Sequence, residues 1–304
     1  MTAGLTDIGA GSVSVGIIAA RRIPALERLV AHLVEMDPPP LEILIAVESP
    51  GTPRVHEARD ERGVRWLEIP AARGLGFNRN RVVEAASGQV LVFVDDDCEP
   101  EPDWLQRMLA PFADPLVDAV VGRVRIPPST FLGDSIAALG FPAGGSAGYE
   151  TMFEVRDDGT TDNLTTCNCA LRMTALSALG GFDEAMVHGG EDTELGLRMR
   201  LAERRIVYRP DAVVAHPART RLDEFARWFF RRGRAKRQFV LRAGNVGGYV
   251  GRRLLSYVTI VRSRWRDPRI VAIVALLVAS FMLQQVGYAV EWIRPSRPSR
   301  RVSD

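Results

Sequence analysis

Three carboxylates stand side by side in QVLVFVDDDCEP: Asp95, Asp96 and Asp97 follow directly on the apolar run Val90 to Val94. Like charges so placed repel one another unless something positive sits among them. A short apolar run of this kind reads as a buried strand of a parallel sheet. Strand alternation would then turn Asp95 and Asp97 to one side and Asp96 to the other. Two carboxylates at a sheet edge suit Mg2+ or Mn2+, which takes one or two protein carboxylates and completes its shell with phosphate oxygens and water. A solvated turn closed by an Asx hydrogen bond is the plainer alternative. A second acidic pair, Glu191 and Asp192 in GGEDTE, falls where a helical pattern begins, and a helix N-terminus favours negative charge. His216 ends the strand-like RIVYRPDAVVAH. Cys98, Cys167 and Cys169 form neither an even disulfide set nor a zinc-type spacing. They read as small buried or pocket-lining residues of a reducing compartment, with no chemistry assigned.

The elements that must carry these groups follow from periodicity. VSVGIIA, LEILIAV and GVRWLEI are apolar strands; PALERLVAHLVEM, opened by Pro24, and FNRNRVVEAASG, ended by Gly88, are helices. Strands alternating with helices make a mostly parallel sheet flanked by helices, with right-handed crossovers, and ligands gather beyond the carboxyl ends of its strands. Asp95 to Asp97 fall there. The Gly-rich, polar text between about Ser129 and Thr166 reads as a long loop region that shapes a pocket. Residues ahead of the first strand read as a short disordered start, with no basic n-region and so no signal peptide.

Charge is split along the chain. From Pro217 onward there are 19 basic and 5 acidic residues, against 20 basic and 32 acidic before it. A basic tail on an acidic body suggests a polyanion or an anionic membrane face. RLDEFARWFFRRGRAKRQFVLRAG sets Trp228, Phe229 and Phe230 beside Arg231, Arg232 and Arg234, the composition of a helix lying in a membrane interface. Ile270 to Val290 is free of charge over 21 residues, long enough to cross a bilayer. Gln284 and Gln285 leave a buried or membrane-surface helix as the alternative.

The ordered set ARGLGFNRNRVVEAASGQVLVFVDDDCEP, TTCNCALR, GGFDE, GGEDTELGLRMR and YRPDAVVAHP resembles family 2 glycosyltransferases with the GT-A nucleotide-sugar-binding fold, over roughly Val13 to Pro217. That resemblance implies an inverting enzyme using Mg2+ or Mn2+. Asp95 to Asp97 would be the Asp-x-Asp element, with Asp97, Asp95 and His216 at the metal. Glu48, Arg79, Asn80, Asp95 and Asp96 would face the donor. Asp192 would be the general base, with Glu191 beside it. Asn168, Trp228, Arg231, Arg232 and Arg234 would meet the acceptor or the membrane. Two departures from the family pattern stand out: IIAARR ends the first strand, and Glu48 replaces the usual Asp. The processive Gln-x-x-Arg-Trp element is also missing, which favours single additions.

The expected organisation is a catalytic domain over 1–217, basic amphipathic interfacial helices over 218–268, a transmembrane or membrane-embedded helix over 269–293 and a basic disordered tail over 294–304. The expected partners are a nucleotide-diphosphate sugar and a membrane lipid or lipid-linked acceptor, with no nucleic acid. The expected place is the cytoplasmic membrane, with the catalytic domain facing the cytosol, in the making of a cell-envelope polysaccharide. A nucleotidyltransferase and a catalytically silent membrane scaffold are the rival readings.

Overall fold

The computed structural model describes residues 10–49, 56–70, 73–243 and 249–294. The expected disordered start over 1–9 lies outside them, and so does the basic tail beyond Arg294. In chain order come β1 (Val13–Ala19), α1 (Pro24–Val34), β2 (Glu42–Ser49), β3 (His56–Arg59), β4 (Arg65–Pro70), α2 (Leu75–Ala85) and β5 (Val90–Asp95). A short β6 (Glu99–Pro100) leads to α3 (Trp104–Leu109), β7 (Val117–Arg125), α4 (Phe131–Ala137), α5 (Tyr149–Met152) and β8 (Thr160–Thr161). Then follow β9 (Asn168–Arg172), α6 (Met173–Ala178), α7 (Glu191–Leu201) and β10 (Arg205–Ala215), and last the helices α8 (Leu222–Ala243), α9 (Tyr249–Ser263) and α10 (Ile270–Ile293).

One sheet runs in the order β3-β4-β2-β1-β5-β9-β7-β10-β6, with β8 paired to β10. Strands β4, β2, β1 and β5 are mutually parallel, as the strand–helix alternation leads one to expect. Their side chains are apolar on both faces because both faces are covered. Val13, Val15 and Ile17 pack with Leu26, Leu29 and Val30 of α1, while Leu91 and Phe93 pack with Phe77 and Val82 of α2. Each such side chain taken wholly out of water contributes about 1.5–3 kcal/mol. Beyond β5 the sheet becomes mixed. β9 runs antiparallel to both β5 and β7, and β7 is parallel to β10. Edge strand β3, antiparallel to β4, carries the polar sequence HEAR and is fully exposed, so it has no apolar signature to read.

The segment expected to be a pocket-shaping loop is partly a platform. Thr130 caps α4 by accepting from Gly133 N at 3.0 Å, as N-cap threonines do. Ile136, Leu139 and Phe141 then bury against Phe225 and Phe229 of α8, Ile260 of α9, and Ile273 and Leu277 of α10. Phe225 and Phe229 of α8 are thus covered by protein. Trp228, expected at the membrane, stacks on Phe141 with ring centroids 3.5 Å apart.

Helices α8 and α10 cross closely through glycine. A Cβ on Gly233 would collide with the Gln284 carbonyl, and one on Gly287 with that of Phe230. Gln284, which weakened the transmembrane reading, is turned inward to this crossing and buried. Both ends of α10 are held by the catalytic body. Arg269 at its start pairs with Asp134 of α4 at 2.9 Å. Glu291 in its last turn meets Arg234 at 2.8 Å and His188 at 3.2 Å. Val271, Val278, Met282 and Val286 form an exposed apolar stripe on its outer side.

Candidate active site

Strand β5 ends at Asp95, and the Cys98 amide donates to the Asp95 carbonyl at 3.1 Å, closing a turn over Asp96 and Asp97. Alternation therefore does not extend past Asp95. What aims Asp97 is the turn, which sends it across to the end of β10. There its Oδ1 lies 3.2 Å from His216 Nε2 and its Oδ2 lies 3.3 Å from Arg219. The groups beside Asp97 are thus a buried histidine and a positively charged arginine, Arg219, that sequence reasoning passed over. Arg219 stands three residues after His216 in HPAR, a signal available but too common to single out.

The triplet is electrostatically tense. Asp96 is pushed up to about 7, first by burial and then by the charges of Asp97 and Asp95, against the pull of Arg219. A divalent cation would relieve that repulsion. The His216 ring fits such an ion: its Nδ1 is bound to the Pro217 carbonyl at 2.8 Å. A carbonyl only accepts, so in the neutral ring Nδ1 carries the hydrogen and Nε2 the lone pair, the arrangement usual for a metal-ligating histidine. Asp97 and His216, 3.2 Å apart, are the pair placed to share Mg2+ or Mn2+, and Asp95 stands at the start of the same turn.

Helix α7 begins at Glu191, after Gly189 and Gly190, both at positive φ (97° and 86°), a backbone that glycine adopts without strain. Asp192 is half-buried in its first turn, and its Oδ1 accepts from the Thr193 amide at 2.7 Å. Glu191 points elsewhere. It is 2% exposed and forms an ion pair with Arg79 of α2, itself 5% exposed. Arg79 lies between the rings of Phe93 and Phe182, 5.9 and 5.8 Å from their centroids. Glu191 is therefore not available as a base; it ties α2 to the start of α7 and so places Asp192. Arg79 Nε and Glu191 Oε2 have no partner among the described residues.

Other expected site residues divide. Glu48, at the end of β2, accepts from Asn78 Nδ2 at 3.1 Å. Asn78 was missed; it is 1% exposed and its Oδ1 lacks a partner among the described residues, which marks it as a donor-side candidate. Asn80 is a clasp: its Nδ2 donates to the Phe182 carbonyl at 2.9 Å and its Oδ1 accepts from the Phe182 amide at 2.8 Å. Its amide is thereby committed to the loop before α7 and leaves little for a nucleotide. Asn168 requires correction as an acceptor contact. It is fully buried, its Oδ1 accepts from Trp104 Nε1 at 2.8 Å, and its Nδ2 donates to the carbonyls of Arg123 and Ala212 at 2.9 and 3.0 Å. A side chain with three core hydrogen bonds holds β9, β7, β10 and α3 together. Arg234 is committed to Glu291, Arg232 lies over the Trp228 ring at 4.9 Å, and Arg231 is exposed.

Cys169, at the centre of β9, shows which groups the fold has gathered. Its thiol is pushed up to about 12 by burial first, with Arg79 pulling it down and Asp192 and Asp95 adding to the rise. Cys169 lies opposite Phe93 of β5, within electrostatic reach of Arg79, Asp192 and Asp95.

Carboxylates at the carboxyl-terminal edge of a mixed α/β sheet are the GT-A arrangement, and comparison with known proteins agrees. Residues 14–180 match the family model "Glycosyl transferase family 2", and the chain belongs to that family. It is 32% identical over 183 residues to the pre-mycofactocin glycosyltransferase of Mycobacterium tuberculosis, a match covering 57% of this chain and 36% of that protein. The chain thus spans about a third of that relative's length. It is 28% identical over 237 residues to the succinoglycan biosynthesis protein ExoM of Rhizobium meliloti, covering 73% of this chain and 72% of that one. Among solved structures, the mannosyltransferase PcManGT of Pyrobaculum calidifontis, in complex with GDP-Man and Mn2+, shares the fold with a TM-score of 0.56 at 20% identity. That match covers 94% of this chain and 81% of that one.

Proposed function

We propose that this chain is an inverting, metal-dependent glycosyltransferase that moves a sugar from a nucleotide diphosphate to an acceptor hydroxyl presented at a membrane face. The observation that carries the reading is the Asp95–Asp97 turn at the carboxyl end of β5 with His216 and Arg219 against Asp97; Asp192 in the first turn of α7 is the acid assigned beside it. A divalent cation held by Asp95, Asp97 and His216 would offset the charge that develops on the departing diphosphate. Arg219, already beside Asp97, adds positive charge on the same side. Asp192 takes the proton of the acceptor hydroxyl as the new C–O bond forms and the bond to the diphosphate breaks. A single displacement inverts the anomeric centre. Glu48 and Asn78 face the nucleoside end, and the Arg79–Glu191 pair keeps Asp192 in register with the donor. PcManGT was solved with GDP-Man and Mn2+, which supports a nucleotide sugar and a divalent ion here too.

The membrane part of the reading rests on α9 and α10. With both of its ends tied to the catalytic body, α10 lies along the protein and turns its apolar stripe to a leaflet as a surface helix. An apolar cavity of about 510 Å³ between α9 and α10, lined by Val258, Val261, Val274, Leu277 and Phe281 with Arg262 at its side, belongs to the same face. One relative, 24% identical over 237 residues, is a glucosyl-dolichyl phosphate glucuronosyltransferase of Haloferax volcanii, which supports a lipid-linked acceptor. The cytosolic face of the cytoplasmic membrane is the side where sugar nucleotides would reach the site.

The test is a thermal-shift screen of detergent-purified protein against nucleoside diphosphates with and without Mn2+, since a ligand of the native state raises the melting temperature. A Mn2+-dependent shift lost in Asp97→Ala is expected. No shift with any nucleotide, in folded protein, would overturn the reading and favour a silent scaffold. Release of pyrophosphate instead of nucleoside diphosphate would favour a nucleotidyltransferase. Flotation with anionic vesicles, lost in a Val278→Glu and Met282→Glu double variant, is expected for the membrane face.

A further inference from the structure

Cys98 and Cys167 were read as residues without chemistry, since 69 positions separate them and no zinc spacing joins them. The fold brings them together. Cys98 follows the acid turn of β5, Cys167 precedes β9, and their sulfurs lie 4.0 Å apart. With a ring nitrogen of His216, beyond β10, three donor atoms lie within 4.8 Å of one another. All three residues are buried, at 1%, 7% and 1% exposure.

The spacing suits a tetrahedral metal. Two sulfurs at about 2.3 Å from a zinc ion in tetrahedral geometry stand about 3.8 Å apart, so the observed pair needs to move by a few tenths of an ångström. Disulfide sulfurs stand at about 2.0 Å, a much larger adjustment. The third donor is already oriented, because the Pro217 carbonyl holds His216 Nδ1 and leaves the Nε2 lone pair free in the neutral ring. His216 therefore stands between two donor sets of different hardness. On one side is the Asp97 carboxylate, which prefers Mg2+ or Mn2+. On the other are two thiols, which prefer Zn2+.

We propose that Cys98, Cys167 and His216 form a soft-metal site that takes Zn2+, with the fourth position left to a water. Binding displaces the two thiol protons. Because Nε2 has one lone pair, an ion held by the thiols withdraws His216 from the carboxylate site. The site rests on donor atoms alone and stands whether or not the chain transfers sugars.

The experiment uses chelator-treated, reduced, full-length protein without nucleotide, titrated with Co2+ as an optical stand-in for Zn2+. A near-ultraviolet sulfur-to-cobalt charge-transfer band is expected, abolished by one equivalent of Zn2+ and unmoved by excess Mg2+. The band should be lost in Cys98→Ser and in Cys167→Ser and kept in Cys169→Ser, whose thiol lies on β9 in the other core layer. Folded wild-type protein without the band would overturn the proposal, and that result does not depend on any variant folding. A band that persists in both serine variants, or one that Mg2+ removes, would overturn it equally.

Discussion

The burial of Asn168 permits a prediction with a worked magnitude. In Asn168→Asp the side-chain shape is kept, so no cavity forms, but both N–H donors vanish. The carbonyls of Arg123 and Ala212, now served at 2.9 and 3.0 Å, would face a carboxylate oxygen. Two outcomes are open to the new group, and both are costly at pH 7.5. If it stays ionised, two buried carbonyls lose their donors at about 1–3 kcal/mol each, and a buried charge adds several more. If it protonates, one hydrogen bond returns. Holding a carboxyl of ordinary pKa about 3.9 neutral at pH 7.5 then costs roughly 5 kcal/mol, besides the carbonyl still unserved. Either way the loss is about 5 kcal/mol or more, which corresponds to a melting temperature lower by roughly 10–20 °C. The sign with pH is fixed. The folded-state pKa is raised, so the folded state holds its proton longer, and the deficit shrinks to about 1–3 kcal/mol as pH falls toward 4. Thermal unfolding of both proteins at pH 7.5 and pH 5, with Asn163→Asp as control, measures this. Among the described residues the Asn163 side chain makes a single 3.5 Å contact, from Nδ2 to Thr161 Oγ1, so its change should cost little. A shift under 2 °C at pH 7.5, or one equal at the two pH values, would refute the assignment of Asn168 as the joint of β9, β7, β10 and α3.

Three further outcomes are expected. Asp192→Asn keeps the Oδ1 that receives the Thr193 amide, so it should fold and bind donor normally while kcat for transfer falls about 10²- to 10⁴-fold; steady-state kinetics with donor-binding calorimetry separates the two. Glu191→Ala leaves Arg79 charged and unpaired in the core, for a loss of about 3–5 kcal/mol, whereas Arg79→Met with Glu191→Leu should regain most of it, as denaturant titration would show; equal losses would mean the pair is not coupled. The His188 ring is held below the ordinary histidine range by burial first and then by Arg234, with Arg231 adding to the depression and Glu291 opposing it. Glu291→Gln should therefore lower its pKa further in an NMR titration. Because the unfolded state takes up that proton first, wild-type stability should decline as pH falls below about 6.5, and the variant should decline more steeply.

The sequence by itself determined the elements and much of the chemistry's address. The periodicities of VSVGIIA, LEILIAV and GVRWLEI are local properties, and β1, β2 and β4 lie where they point. The apolar run before Asp95 had to be a covered strand, so the acids had to lie at its carboxyl end. GGEDTE places two glycines and two acids at a helix start, and α7 begins there. The exposed edge strand β3 and the antiparallel β9 were not legible, since neither polarity nor a short apolar run states the direction of pairing. Tertiary structure alone decided which groups meet. Alternation turned Asp97 toward Asp95, but a turn closed by the Cys98 amide sends it to His216 and Arg219 at the end of β10. Asn168 looked like a polar group awaiting an acceptor, and three strands and a helix meet around it. Glu191 and Asp192 are neighbours in sequence with separate tasks, because only Glu191 faces Arg79. The apolar length of α10 allows a bilayer crossing, and its sequence does not state the pairs at its two ends, Arg269 with Asp134 and Glu291 with Arg234. Apart from the local turn at Asp97, the deciding contacts span dozens of residues, and periodicity, which reports only which side of an element is covered, carries no information about what covers it.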